Sequence, residues 1–124
     1  MPARVVDASA LAALLFGEPE GDQVVSALRK GPLFAPTLLR YELASVCLKK
    51  IRRHPDRRAD LFAALDLLAQ MDLQEVEIPP VDVIELAERT GLTIYDAAYL
   101  WLSRWLGATL VTLDTRLESA ARDA

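Results

Sequence analysis

The chain has 124 residues, 52% of them apolar, and a formal net charge of −4. That is the size of one domain, 1–124, with apolar material for a single core, and it carries no linker, low-complexity run or solenoid-length repeat. The net charge argues against a uniformly basic nucleic-acid binder, and no apolar run nears the roughly 20 residues of a membrane span.

The single cysteine, Cys47, cannot pair within the chain, which points to a reducing compartment. A secretory signal is a poor match. Asp7 sits at the front of the apolar run Ala8 to Phe16, and Gly17-Glu18-Pro19-Glu20 offers no small-x-small cleavage site. A cytoplasmic protein without a membrane segment is expected.

Val5-Val6 reads as the end of a buried strand, and Ala10 to Leu15 as a helix, so Asp7 stands at a strand-to-helix turn. Gly17 to Gly21 is a turn, and Asp22 to Lys30 a second helix stopped by Gly31-Pro32. Leu33-Phe34-Ala35 fits a second strand. Pro36 suits a first helical turn, and a third helix follows from about Thr37 to Arg53. That helix is apolar nearly all round, which predicts burial or packing against another protein.

His54-Pro55 breaks the pattern, and Arg57 to Met71 reads as a fourth helix. Gln74 to Ile78 alternates polar and apolar like a strand with one wet face. Val81 to Arg89 is a fifth helix stopped by Gly91. Thr93 opens a sixth, running to about Trp105 with Gly107 as its cap. Ala108 to Leu113 is the clearest strand, and Thr115 begins a short last helix. Every link between strands contains a helix, which requires parallel pairing. The expected fold is α/β, a three-layer α/β/α sandwich with a central parallel sheet of four or five strands.

In such a sheet the strand ends and the starts of the following helices share one edge, where ligands bind. Asp7 follows the first strand and Asp114 the last; Asp96 opens the sixth helix, and Glu42 lies on the third. Each acid also has a plainer role. Asp7 and Asp114 can cap helices, and Thr93-x-x-Asp96 resembles a capping box. Glu42 can pair with Lys49 or Arg40. Four acids on one edge are harder to explain as independent caps. Together they would repel one another and require cations, and hard oxygen donors without His or Cys favour Mg²⁺ or Mn²⁺.

Other chemistries fit less well. The only histidine, His54, lies in a basic loop before a proline, and neither a P-loop nor a dinucleotide-binding glycine motif is present. A receiver domain would need adjacent acids after the first strand and a lysine after the last. Six of the fourteen cations (Lys49, Lys50, Arg52, Arg53, Arg57 and Arg58) fall within ten residues. They are either a solvated helix end complementing the macrodipole or a phosphate-binding surface.

The segments Val6-Asp7-Ala8-Ser9-Ala10-Leu11, Leu39-Arg40-Tyr41-Glu42-Leu43-Ala44, Thr93 to Tyr99 and Leu110-Val111-Thr112-Leu113-Asp114 resemble the PIN-domain ribonucleases. Size and spacing are similar to the VapC toxins of toxin–antitoxin pairs. The resemblance implies a Mg²⁺- or Mn²⁺-dependent endoribonuclease, inhibited by a cognate antitoxin protein and often a homodimer. It makes Asp7 and Asp96 the main metal ligands, with Asp114 completing the site or holding a second ion. Glu42 would bind metal or orient a water. Ser9 and Thr112 would be hydroxyls that orient the carboxylates. Lys49, Arg52, Arg53 and Arg116 are the expected RNA contacts. Two other readings stay open: a PIN-fold nuclease of RNA processing outside a toxin–antitoxin pair, and a non-catalytic module whose acid edge docks a basic partner.

Overall fold

The computed structural model describes residues 2–29 and 31–123. Its four strands are β1 (Arg4–Val6), β2 (Leu33–Pro36), β3 (Leu73–Val76) and β4 (Thr109–Val111), all parallel, in the spatial order β3-β2-β1-β4. Val5 lies opposite Phe34 on one side and Leu110 on the other. Seven α-helices among the described residues connect and follow them: α1 (Ala8–Leu15), α2 (Gly21–Leu28), α3 (Leu39–Arg53), α4 (Arg58–Asp66), α5 (Pro80–Thr90), α6 (Ile94–Leu106) and α7 (Thr115–Arg122).

The chain steps from β1 to β3 in one direction, then returns to place β4 on the far side of β1. With right-handed crossovers, that reversal puts α1 to α4 on one face and α5 to α7 on the other. The packing agrees: α1 lies on α2 and α3, whereas α6 lies on α5 and α7 and crosses β1, β2 and β4. Val5 and Val6 point to opposite faces and both are fully buried, which only a sheet covered on two sides allows. Leu11, Leu39 and Leu43 fill the first layer; Tyr99, Leu100, Leu102 and Leu117 fill the second. The three-layer α/β reading holds, with the lower of the two expected strand numbers.

Several boundaries differ from the sequence expectation for physical reasons. β4 is shorter than Ala108 to Leu113, because Thr112 and the Leu113 N–H bond to side chains at the start of α1. α3 is not buried all round. Leu39, Leu43 and Cys47, spaced four apart, make its buried stripe, while Tyr41 is 81% and Leu48 46% exposed. The fourth helix is split, with 3₁₀ turns over Pro55–Arg57 and Leu67–Gln70 on either side of α4. The second helix ends at Leu28, and Lys30 lies outside the described residues. Gly91 and Gly107 are the expected stops, with φ of 75° and 63°, left-handed values that favour glycine. Among the described residues no helix is long and apolar enough to cross a membrane.

Candidate functional site

β1 and β4 are neighbours at the point where the strand order reverses, and their carboxyl ends carry Asp7 and Asp114. Asp7 is 4% exposed. It caps α1 through Oδ1, which accepts the Ala10 N–H at 3.0 Å. Ser9 Oγ donates to Oδ1 at 2.7 Å, and Thr112 Oγ1 donates to Oδ2. Both hydroxyls are anchored in turn. Ser9 Oγ accepts the Leu113 N–H and Thr112 Oγ1 accepts the Asp114 N–H, each at 3.0 Å. The carboxylate is thus clamped between the first turn of α1 and the segment after β4.

Three other acids face the same cavity of about 330 Å³: Glu42 from α3, Asp96 from the first turn of α6, and Asp114. Asp114 is also the N-cap of α7, accepting the Arg116 and Leu117 N–H groups through Oδ1 at 2.9 and 3.1 Å. The Thr93 half of the capping box forms: Thr93 is the N-cap of α6, and its Oγ1 accepts the Asp96 N–H at 3.1 Å. Glu42 accepts a 2.6 Å hydrogen bond from the Tyr99 hydroxyl. The alternative pairing of Glu42 with Arg40 does not occur, since Arg40 bonds to Glu75 at 2.7 Å. Nor, among the described residues, does Glu42 pair with Lys49.

Burial raises the pKa of Asp7 above the ordinary carboxylate value, against the opposing bonds from Thr112, Ala10 and Ser9, and the Asp96 charge adds to the rise. Glu42 is raised by burial and then by Asp7 and Asp96. Asp96 is raised by burial and then by Asp114, with Thr93 and Arg116 pulling the other way. Desolvation combined with mutual repulsion is the signature of acids gathered without a countercharge.

Among the described residues no three His, Cys, Asp or Glu side chains stand close enough together to hold an ion as they are placed. The donor set still fits a hard divalent cation. Four carboxylates and the Ser9 hydroxyl line the cavity with no imidazole or thiol, and Glu42 Oε2 and Asp114 Oδ2 accept no protein hydrogen bond among the described residues.

Of the expected basic contacts, only Lys49 lines this cavity. Arg53 lines a neighbouring one. Arg52 lines neither, and Arg116 donates to the Gly91 carbonyl at 3.2 Å. Two polar lining residues escaped the sequence reading. Tyr99 stands one helical turn after Asp96, so the i, i+3 spacing placed its hydroxyl on the acid face. Ser45 bears the same relation to Glu42.

The PIN domain family matches residues 4–123. Ribonuclease VapC3 of Pyrobaculum aerophilum is 33% identical over 118 residues, 91% of this chain and 90% of its own. Ribonuclease VapC9 of Mycobacterium tuberculosis is 32% identical over 120 residues, 95% and 91% of the two chains. Exonuclease VapC9 of P. aerophilum is also 32% identical, over 97% of this chain and 86% of its own. The crystal structure of PAE2754 from P. aerophilum superposes with a TM-score of 0.79 at 31% identity, covering 99% of this chain and 87% of that one. M. tuberculosis VapC20, described as a sarcin-ricin loop cleaving toxin, shares the fold with a TM-score of 0.67 at 16% identity, covering 94% of each chain. With the match running almost end to end and three relatives above 30% identity, the chain belongs to the PIN-domain family, in its VapC branch.

Proposed function

We propose that the chain is a metal-dependent endoribonuclease, the toxin of a type II toxin–antitoxin pair in the cytoplasm. The observation that carries this reading is the meeting of Asp7, Glu42, Asp96 and Asp114 on one cavity at the carboxyl edge of a PIN-family sheet. Its relatives' names, three of them ribonucleases or a toxin, support the substrate class.

Asp7 and Asp96 would hold a Mg²⁺ or Mn²⁺ ion, with Asp114 completing the set and Glu42 binding metal or orienting a water. Such an ion, when bound, acidifies water and neutralises charge on the phosphodiester. Ser9 and Thr112 hold the Asp7 carboxylate in place, and Tyr99 holds Glu42. Water is the nucleophile in this reading. Its oxygen bonds to phosphorus, the bond to the 3′ oxygen breaks, and a proton ends on that oxygen. The products carry 5′-phosphate and 3′-hydroxyl ends. The RNA 2′-hydroxyl takes no part, so any preference for RNA comes from binding.

The partners in this reading are RNA, a cognate antitoxin and a second copy of the chain. Exposed Tyr41 and Leu48 on α3 and Phe62 on α4 supply apolar surface suited to a protein partner. Because one relative is an exonuclease, the test uses a circular single-stranded RNA, which has no ends. Incubated with the full chain and Mn²⁺, the circle should open to linear RNA with a 5′-phosphate, and EDTA should stop it. Cleavage that persists in EDTA overturns the metal reading. Shortening of linear RNA with intact circles overturns the endonuclease reading.

A further inference from the structure

A cavity lined by four carboxylates repels the phosphates it is meant to receive. Whatever holds an RNA strand there must lie just outside the acids, and α3 carries a suitable arrangement. At 100° per residue, Ser45, Val46, Lys49 and Arg53 all fall within about 60° of the Glu42 direction, and Lys49 and Arg53 within about 20° of it. Lys50 and Arg52 flank that stripe, about 80° to either side. The acid therefore lies near the start of one helical face, and two cations follow at about 10 and 16 Å along the axis.

The cavities repeat this pattern. Glu42, Ser45, Val46 and Lys49 line the acid cavity, and Val46, Lys49 and Arg53 line an adjoining one of about 190 Å³, together with Lys50 and Glu18. Lys49 and Val46 belong to both, so the two form one path along α3. Lys49 and Arg53 are exposed, and among the described residues neither has an ion-pair partner. Lys50, in contrast, pairs with Glu18 at 3.0 Å and sits over the Phe16 ring. Arg58 stacks over Phe62, Arg40 is held by Glu75, and Arg116 is held by the Gly91 carbonyl.

We propose that Lys49 and Arg53 form a phosphate subsite that leads an RNA strand along α3 into the carboxylate cavity. The proposal rests on the ribonuclease reading above and narrows the basic cluster to two members. Complementing the helix macrodipole would require only cations near the C-terminus, on any face. It does not require two exposed, unpaired cations to share the acid stripe.

The test is fluorescence anisotropy with a labelled 12-nucleotide single-stranded RNA in EDTA, so that nothing is cleaved, across a salt series. Wild type is compared with Lys49→Ala/Arg53→Ala and with Arg52→Ala/Arg57→Ala, which removes the same charge from exposed cations that line neither cavity. The first pair should weaken binding by about tenfold or more, and flatten the slope of log K against log salt by about 1.4, two phosphates' worth. The second pair should change affinity by less than about twofold. Equal losses from both pairs, or an unchanged slope in the first, overturn the subsite. Circular RNA opened by wild type in a parallel reaction with Mn²⁺ keeps the ribonuclease reading standing in that case. Wild type that binds the strand but never cleaves it overturns the ribonuclease reading instead, and wild type that does not bind overturns both. Lys49, Arg52, Arg53 and Arg57 are all exposed, so circular dichroism melts should superpose for the three proteins.

Discussion

The Tyr99 hydroxyl donates to Glu42 Oε1 at 2.6 Å and ties α6 to α3 across the mouth of the carboxylate cavity. Burial and the neighbouring carboxylates push the phenol well above its ordinary pKa, so it stays a donor. Its ring is 1% exposed, so Tyr99→Phe keeps the packing and removes only the bond. A hydrogen bond to a charged group is worth about 1.5–3 kcal/mol, and the half-exposed acceptor puts this one nearer about 1 kcal/mol. The expected result is a small loss in urea unfolding, a kcat for RNA cleavage lowered by about tenfold as Glu42 loses its orientation, and a KM nearly unchanged. Cleavage at the wild-type rate would show that the bond serves packing alone.

Metal binding can be read without activity. A cation that binds only the folded chain stabilises it by about 2.7 kcal/mol at a hundred times its Kd. Mn²⁺ should therefore raise the Tm of the wild type and leave Asp7→Asn unmoved. Without metal, Asp7→Asn should melt at or above the wild-type temperature. It replaces a 4% exposed carboxylate, already pushed toward its neutral form by burial, with a neutral isostere. The same variant should lose RNA cleavage. Differential scanning calorimetry in EDTA and in Mn²⁺ checks both halves. A metal shift of equal size in the variant removes Asp7 from the ligand set.

Cys47 completes the buried stripe of α3, is 2% exposed, and has its sulfur 3.9 Å from the Leu61 carbonyl oxygen of α4. Burial pushes the thiol above its ordinary pKa, which lowers the reactive thiolate fraction. Labelling by a thiol reagent at neutral pH should be far slower for the folded protein than in denaturant. It should accelerate only when α3 and α4 separate. Mass spectrometry after a timed pulse reads this directly. Modification at the denatured rate would mean that the contact opens freely.

The sequence carried the architecture because each strand was a short β-branched, apolar or alternating run, and helices with clear stops, such as Gly91 and Gly107, separated them. The acids were legible for the same reason: Asp7, Asp96 and Asp114 sit at strand or helix ends, where topology alone fixes the edge they share. What failed was local. The run from Ala108 to Leu113, which looked like one strand, contains no sign that Thr112 turns away to bond Asp7, 105 positions earlier. Capping at Asp7 and binding at Asp7 looked like rival explanations. In the structure one oxygen caps α1 while the carboxylate still lines the cavity. Tyr99 went unmarked in the sequence, because its ring is core and only its last atom reaches the site. Among the cations, charge counting could not separate Lys49 from Lys50, because the difference lies in Glu18, on a distant turn.

Ser9 and Thr112 hold one carboxylate from two sides, and each also accepts a backbone N–H after β4. Ser9→Ala and Thr112→Val each remove a donor to Asp7 and leave an amide without its acceptor, so each should cost about 1–3 kcal/mol in urea unfolding. Cleavage should fall by about 10–100-fold in either variant as the Asp7 oxygens lose their orientation. The double variant should cost less than the sum of the two, with a coupling of about 0.5–3 kcal/mol. Once one hydroxyl is gone the carboxylate can swing, and the second bond no longer restrains it. Strict additivity in the four-protein cycle would mean that the two hydroxyls act on the β4 backbone independently and do not clamp Asp7 together.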